Sequence, residues 1–299
     1  MSQKRALILG CGYVGQALAR VLLREGVEVT GTTRTRDRLA DLERLGVIPR
    51  LVDVTAPATL QPLLETEPHV VFDLVRPQRI DRDRYTVWGT RNVAQAFAGA
   101  PLEALVYLSS TSVYGRRYGE HTDETTEVAP SSPVGCARTE AEGIYLDLFE
   151  MTRFPVRICR VPGIYGPGRT LRQRLESGAY RRLDDNDLWV SRIHVDDLAE
   201  GLVAAWHRGT DGRIYLLCDD EPVTGKEYAE LTASLLSLPL PPTIARDDIR
   251  HELATSAFER RVGARRCSNR RMREELGVVP RYPSVRVGLA AALRAEGVI

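Results

Sequence analysis

The sequence lacks a long apolar run, a large net charge and a pattern of paired cysteines. Its 299 residues carry 41 Lys plus Arg against 40 Asp plus Glu, a formal net charge of +1. No global basic field therefore attracts nucleic acid or an anionic membrane, and we predict neither as a partner. The five cysteines are odd in number and widely spaced, which argues against a disulfide framework or a zinc site.

The apolar runs are also too short for a membrane-bound or exported protein. None approaches the ~18 apolar residues of a membrane span. The amino terminus, MSQKRALILG, has a four-residue apolar run before Gly10, too short for a signal peptide. Together with unpaired cysteines, this predicts a cytoplasmic protein without a metal site.

Short apolar runs alternate with segments of helical periodicity over the first half of the chain. Buried strands are predicted at 6–9, 27–31, 48–52, 69–75, 102–108 and 156–161. Helices are predicted between them at 14–24, 36–45, 57–66, 82–99 and 137–151. This alternation implies right-handed crossovers and hence an α/β fold, a Rossmann-type doubly wound parallel sheet.

The pattern loosens after about residue 165, where Pro- and Gly-containing loops separate mixed helices. We therefore predict a dinucleotide-binding domain over 1–165 that also receives about 190–218. The remaining segments, 166–189 and 219–299, are predicted to form a smaller C-terminal α/β lobe that binds the substrate.

The first chemical motif is GCGYVG, Gly10 to Gly15, directly after the first predicted strand and at the start of the first predicted helix. In this context G-x-G-x-x-G predicts a dinucleotide site. Gly10 permits the tight turn, Gly12 lets a pyrophosphate approach the backbone, and Gly15 allows close packing of helix on sheet. The free N–H groups at the start of the helix favour the phosphates.

The end of the second strand indicates which dinucleotide binds. Proteins specific for NAD place an acidic residue there to hold the ribose 2′-hydroxyl group. Here Thr33 takes that place, and Arg34 and Arg36 follow it. Guanidinium groups bind a 2′-phosphate, which a carboxylate would repel. We predict NADP(H) in preference to NAD(H). The alternative is that the two arginines are only the solvent-exposed start of the second helix.

Five further segments follow the glycine motif in order along the chain and carry a family resemblance with it: DVT (53–55), GTRNV (89–93), YLSSTSVYG (107–115), RVPGIYGPGR (160–169) and RIHVDDLAEGL (192–202). With these the chain resembles the extended short-chain dehydrogenase/reductases, which include nucleotide-sugar epimerases and dehydratases. The resemblance implies that Asp53 faces the adenine and that the backbone of Tyr13 and Val14 meets the pyrophosphate. It also assigns cofactor contacts to Val54, Val75, Ser109 and Pro162, and it makes a homodimer plausible.

In that family a Ser or Thr, a Tyr and a Lys carry the chemistry, the tyrosine exchanging a proton with the substrate oxygen. The resemblance places Ser110 at the hydroxyl position. The segment PSSPVGCARTEAE keeps the frame of the Tyr-x-x-x-Lys motif but has Val134 for the tyrosine and Arg138 for the lysine. Valine has no ionisable proton, whereas arginine retains a charge that could clamp ribose or phosphate.

With this departure the chain resembles the atypical, YeeZ-like subgroup of the family. Members of that subgroup keep the fold and lack the usual active-site residues. Tyr114, Tyr165 and His194 are alternative proton carriers, and Cys136 is an alternative nucleophile. Thr111 and Ser112 stand where dehydratases of the family carry Asp-Glu, which argues against dehydration. Arg169 is a candidate anion contact for the substrate.

Three functions remain open at this point. The first is an NADP(H)-dependent oxidoreductase or epimerase-like enzyme for a small polar or nucleotide-linked substrate, with Ser110 and Arg138 at the reacting centre. The second is a catalytically inactive NADP(H)-binding sensor or partner-binding protein. The third is catalysis that uses the bound nucleotide structurally or regenerates it within each cycle, as in an isomerase.

Overall fold

The computed structural model describes residues 3–184, 188–253 and 255–299. Residues 185–187 and 254, which belong to the predicted smaller lobe, lie outside the described residues.

The strands are β1 Arg5–Leu9, β2 Glu28–Thr33, β3 Ile48–Leu51, β4 Val70–Asp73, β5 Gln78–Arg79, β6 Tyr85–Thr86, β7 Ala104–Leu108, β8 His121–Thr122, β9 Val156–Arg160, β10 Gly163–Tyr165, β11 Arg182–Leu183, β12 Trp189–Val190, β13 Arg192–His194, β14 Arg213–Leu216, β15 Val223–Thr224, β16 Thr243–Ile244 and β17 Arg266–Cys267. The helices are α1 Tyr13–Arg24, α2 Leu39–Arg44, α3 Gln61–Leu64, α4 Trp88–Phe97, α5 Pro133–Thr152, α6 Arg172–Glu176, α7 Val195–Arg208, α8 Gly225–Leu235, α9 Arg246–Glu252, α10 Thr255–Val262, α11 Arg270–Leu276 and α12 Val285–Ala295.

A central sheet of seven parallel strands has the order β3-β2-β1-β4-β7-β9-β14. The chain builds β2 and β3 on one side of β1 and then crosses to build β4 and its successors on the other. This reversal leaves a crevice at the carboxyl ends of β1 and β4, where ligands bind in doubly wound sheets. The predicted fold class and all six predicted strands are confirmed.

Alternation along β1 shows how the sheet is covered on both faces. Ala6 and Ile8 point into one core, which α1 and α7 complete. Leu7 and Leu9 point into the opposite core, beneath α4 and α5. Because successive side chains of a strand face opposite sides, an unbroken apolar strand needs helices on both.

The helix predicted over 82–99 begins later, at Trp88, and this part of the prediction was wrong. Residues 78–86 instead form the antiparallel pair β5–β6. The Asp81 carboxylate accepts hydrogen bonds from the backbone N–H groups of Asp83 and Arg84. Such side-chain acceptors offer the backbone a turn in place of a helix.

A separate apolar cluster is made of Tyr165, Val223, Tyr228, Val285, Leu289 and Leu293. It lies between α8 and α12, and all its members except Tyr165 fall in the segment 219–299 that the sequence assigns to the smaller lobe. The short strand pairs β11–β16 and β12–β15 connect neighbouring segments, and β17 pairs with β8. Among the described helices, none combines the length and apolar composition that crossing a bilayer requires.

Candidate active site

The glycine motif forms a tight loop between β1 and α1. Gly10 has φ +81° and donates its backbone N–H to Oγ1 of Thr32 at 2.9 Å. A Cβ atom on Gly10 would lie 3.3 Å from Cγ2 of Val75. A Cβ atom on Gly12 would meet no described atom within 4 Å, so Gly12 borders open space at the start of α1. The loop therefore has the room that a pyrophosphate needs.

Close packing fixes α1 against the loop. A Cβ atom on Gly15 would lie 3.0 Å from the Gly10 carbonyl oxygen, so no larger residue fits without movement. Val14 points into the core, which leaves its backbone on the crevice side. The Tyr13 hydroxyl group is buried without a hydrogen-bond partner among the described residues and lies against Gly166. The 166–169 loop thus covers the edge of the glycine loop.

The ends of β2 and β3 carry the residues predicted to meet the adenosine. Thr33 is half-buried, and its Oγ1 accepts the Thr35 N–H at 3.1 Å. Arg34 is exposed beside Asp53. Hydrogen bonds from Thr55, with a smaller contribution from Arg34, lower the pKa of Asp53. The Val54 side chain lies in the core, so a cofactor contact at this position would come from its backbone.

Two serines follow β7 and point to different places. Ser109 is buried and donates its hydroxyl to Glu142 of α5, so its side chain serves the core rather than the cofactor. Ser110 is half-buried at the carboxyl edge of the sheet, and its Oγ accepts the Ser112 N–H at 3.1 Å. That bond uses one lone pair of the Ser110 hydroxyl group and leaves its proton free to donate. Pro162, two residues past β9, is half-buried at the same edge.

The first two turns of α5 present Val134 and Arg138. Val134 is half-buried, one residue into the helix. Arg138 is buried, and its Nη1 donates to the Tyr107 hydroxyl at 2.9 Å and to the Leu108 carbonyl at 2.6 Å. Core acceptors thus take up Nη1 of Arg138, and the expected clamp on ribose or phosphate stays a prediction for its other guanidinium nitrogens. Arg138 is a positioning residue for the end of β7.

Arg138 belongs to a row of buried polar residues on α5, which we call the polar ladder: Arg138, Glu142 and Tyr145. Glu142 pairs with Arg160 at the end of β9, with Nη2 and Oε2 2.7 Å apart. Tyr145 donates its hydroxyl to Oδ2 of Asp73 at 2.6 Å. The polar ladder thus binds the carboxyl ends of β7, β9 and β4, the strands that carry the crevice residues.

Asp73 connects the polar ladder to the glycine loop. Its Oδ1 accepts the Val75 N–H at 3.0 Å, and Val75 packs over Gly10. Burial raises the pKa of Asp73 to about 6, although hydrogen bonds from Tyr145 and Val75 oppose the rise. The Leu74–Val75 turn that forms one wall of the crevice is therefore held from inside the protein.

The alternative proton carriers are buried. The Tyr114 hydroxyl accepts a hydrogen bond from Arg160 at 3.0 Å, and burial raises the pKa of Tyr114 to about 12. Tyr165 is fully buried and donates its hydroxyl to the Ser284 carbonyl at 3.3 Å. Burial lowers the pKa of His194, whose Nδ1 accepts the Asp196 N–H. Cys136 is exposed on the outer face of α5.

The sequence interpretation missed Asp73, Glu142, Tyr145 and Arg160. A usable signal was present on α5, because residues 138, 142 and 145 are spaced four and three apart and so share one face. Polar side chains on the face that covers a buried sheet must find partners there. The partners themselves come from three strands, and sequence spacing does not name them.

Comparison with known proteins gives four findings. The model of the NAD dependent epimerase/dehydratase family matches residues 6–218. The chain is similar to Protein YeeZ of Escherichia coli K12, with 24% identity over 285 residues that cover 94% of this chain and 97% of YeeZ. It is also similar to the solved structure of a functionally unknown conserved protein from Silicibacter pomeroyi, with 33% identity, a TM-score of 0.83, and coverage of 99% and 100%. A 4-hydroxy-2-methyl-3-oxo-4-farnesyl-3,4-dihydroquinoline-1-oxide ketoreductase of Stigmatella aurantiaca is 26% identical over 235 residues, which cover 74% of this chain and 70% of the ketoreductase.

Proposed function

The chain belongs to the NAD-dependent epimerase/dehydratase family, and from this premise we propose that it is an NADP(H)-dependent oxidoreductase or epimerase-like enzyme for a small polar or nucleotide-linked substrate. The observation that carries the proposal is the crevice itself. Open space beside Gly12 lies at the start of α1, and Ser110 lies at the same edge of the sheet. A ketoreductase among the similar proteins supports carbonyl chemistry.

The residues present fit a nicotinamide dinucleotide. The pyrophosphate would lie against Gly10, Gly12 and Gly15 and the backbone of Tyr13 and Val14. A Cβ atom at Gly10 would crowd Val75, and one at Gly15 would crowd the Gly10 carbonyl oxygen, so both positions need glycine. Asp53 would face the adenine, and Thr33 with Arg34 would take the 2′-phosphate. Val75 and Pro162 would border the nicotinamide end. When bound, the nicotinamide supplies or accepts a hydride.

The protein's own contribution at the reacting centre comes from Ser110. Its hydroxyl group donates a hydrogen bond to the substrate oxygen and orients it. Val134 supplies no proton, and the Tyr114 and Tyr165 hydroxyl groups bond to protein atoms inside the core. His194 is buried, its Nδ1 accepts the Asp196 N–H, and burial lowers its pKa, which favours the neutral imidazole. We therefore assign the proton to a water molecule at the Ser110 hydroxyl. Arg138 acts through the Leu108 carbonyl to position this end of β7.

Turnover of the Ser110→Ala variant tests the role of Ser110. We expect wild-type protein with NADPH to reduce members of a carbonyl panel, and Ser110→Ala to reduce kcat/KM by about 10²-fold. Ser112→Ala is the matched control, since this neighbouring side chain is not assigned to the substrate. Equal turnover by wild type and Ser110→Ala would remove Ser110 from the mechanism.

A second function, a sensor that binds NADP(H) without turnover, is favoured by the presence of Val134 at the usual proton donor's position. It predicts tight NADPH binding with no reaction on the same carbonyl panel. The two functions share the cofactor crevice and differ only in the turnover of the wild-type protein.

A further inference from the structure

A cleft of about 660 Å³ opens at the end of the sheet opposite to the proposed active site. Arg5, the first residue of β1, and His69, which directly precedes β4, form its polar part. The C-terminal ends of α3 and α4 and the residues that follow them form the rest. We call it the basal cleft. Its volume lies in the range of roughly 300–1,000 Å³ that is typical of sites for small molecules.

One wall of the basal cleft is apolar and only partly covered. Leu64 at the end of α3 and Ala96 and Ala100 near the end of α4 pack against the core and remain half-buried. Pro101 is exposed beside them. A Cβ atom on Gly99 would meet no described atom within 4 Å, so the cleft is open here. An apolar ligand would be stabilised by removing this wall from water.

The polar part of the basal cleft presents two N–H donors. Nδ1 of His69 accepts the backbone N–H of Arg5 at 3.1 Å, so Nε2 carries the hydrogen of the imidazole ring. The Arg5 guanidinium group donates from Nε to the Glu67 carbonyl oxygen at 2.9 Å and from Nη2 to Oε2 of Glu67 at 3.0 Å. Within the described part of the chain, Nη1 of Arg5 and Nε2 of His69 bond to no protein atom, and neither is a buried unpartnered atom. Both groups therefore reach solvent and can donate to a ligand.

The charges near these donors leave room for an added anion. Glu67 is the partner of Arg5, but its side chain is 78% exposed, so water surrounds most of this carboxylate. Such an exposed ion pair is weak, and Nη1 of Arg5 remains available to a second carboxylate. Lys4 and Glu103 pair with each other nearby. The C-terminal end of α4 carries a negative partial charge, which directs an anionic group away from α4 and toward Arg5.

We propose that the basal cleft binds a small monocarboxylate with an apolar body, of the size of a one-ring aromatic acid. The two carboxylate oxygens accept from Nη1 of Arg5 and Nε2 of His69, and the ring covers the apolar wall. The site is separate from the cofactor crevice, because β1 spans five residues from Arg5 to Leu9 and so places roughly 13 Å of sheet between the two. The inference goes beyond the proposed function and does not depend on it.

Ligand-observed NMR titration of the wild-type protein tests the basal cleft with three probes. Benzoate has the carboxylate and the ring, benzyl alcohol keeps the ring without the carboxylate, and acetate keeps the carboxylate without the ring. We expect benzoate to bind at least ten times more tightly than either, because the charged hydrogen bonds and the buried ring both stabilise it. Saturating NADPH should leave benzoate binding unchanged, since the two sites lie at opposite edges of the sheet.

Two variants each remove one donor. Arg5→Gln removes the guanidinium group and is expected to weaken benzoate binding at least tenfold. His69→Asn keeps an acceptor for the Arg5 backbone N–H, removes Nε2, and is expected to weaken benzoate binding at least fivefold. Lys4→Gln is the matched control, because Lys4 is adjacent in sequence, pairs with Glu103 and does not line the cleft. We expect it to bind benzoate as wild type does.

Benzoate binding no tighter than that of benzyl alcohol or acetate, displacement of benzoate by NADPH, or unchanged benzoate binding by Arg5→Gln or His69→Asn would overturn the inference. An equal loss in Lys4→Gln would also overturn it, because general positive charge would then hold benzoate. The comparison of the three probes uses wild-type protein and decides even where a variant fails to fold. It needs no nucleotide, so absence of NADPH binding would contradict the proposed function alone.

Discussion

Val134 is the residue at which this chain departs most from the chemistry of its family. It stands one residue into α5, half-buried, at the position where the resemblance expects the proton-donating tyrosine. A positioned acid or base contributes about 10²- to 10⁴-fold in rate. We expect Val134→Tyr to raise kcat on the best carbonyl substrate within that range, measured by NADPH consumption. Val134→Phe, which adds the ring without the hydroxyl group, should give no gain; equal gains in both variants would contradict the explanation.

Asp219 gives a residue-scale prediction for stability. Its pKa of about 8 in the folded protein exceeds the ordinary 3.8, so the folded state binds more protons than the unfolded chain between these values. Stability from this group therefore falls as pH rises from about 4 to 8. We expect Asp219→Asn to raise Tm by about 2–4 °C at pH 8 and to change it little at pH 4, as measured by calorimetry. A gain that is independent of pH would contradict the assignment.

At the scale of elements, α5 joins the strands that shape the crevice. Glu142 and Arg160 are both almost fully buried, so removal of one charge leaves the other uncompensated. We expect Glu142→Gln to lower the free energy of unfolding by about 3–5 kcal/mol in urea denaturation. Glu140→Gln, on the exposed side of the same helix and paired with Arg91, should cost at most about 1 kcal/mol. Similar small effects of both substitutions would show that the polar ladder does not hold these strands.

The elements themselves could be predicted from the sequence wherever apolar periodicity was unbroken. Six of the seven strands of the sheet and the start of α1 after GCGYVG are such cases; β14 was not predicted as a strand. The start of α4 was missed because the Asp81 side chain accepts hydrogen bonds from the Asp83 and Arg84 N–H groups and so forms a turn. Apolar periodicity does not show that a side chain replaces the helical hydrogen bonds in this way. The role of Arg138 was missed because its partners, Tyr107 and Leu108, lie on another element. Spacing placed Arg138 on the helix but gave no information on what the helix covers.

At the scale of the whole molecule, the order of the sheet places the proposed cofactor and substrate sites along one edge. The β1–β4 crevice would hold the dinucleotide, and Ser110 after β7 would hold the reacting oxygen of the substrate. Composition and pattern predict the sheet and the glycine loop. They do not predict the partners of the polar ladder on β4 and β9, because only long-range folding brings the ends of these strands against α5.

Exposed charge at the end of β2 gives a prediction for cofactor choice. We expect Arg34→Glu to weaken NADPH binding at least tenfold and to leave NADH binding nearly unchanged, since a carboxylate repels the 2′-phosphate. Arg38→Glu is the control, because Arg38 is exposed in the following turn and has no assigned contact. Fluorescence titration measures both variants, and equal losses for NADPH and NADH in Arg34→Glu would exclude 2′-phosphate recognition by this residue.

The most direct measurement of the central claim is a fluorescence titration of the wild-type protein with NADPH and with NADH under identical conditions. The account predicts that NADPH binds in the micromolar range and at least tenfold more tightly than NADH. NADH binding as tight as NADPH binding would contradict the assignment of Thr33 and Arg34, and absence of binding by either nucleotide would contradict the cofactor crevice itself.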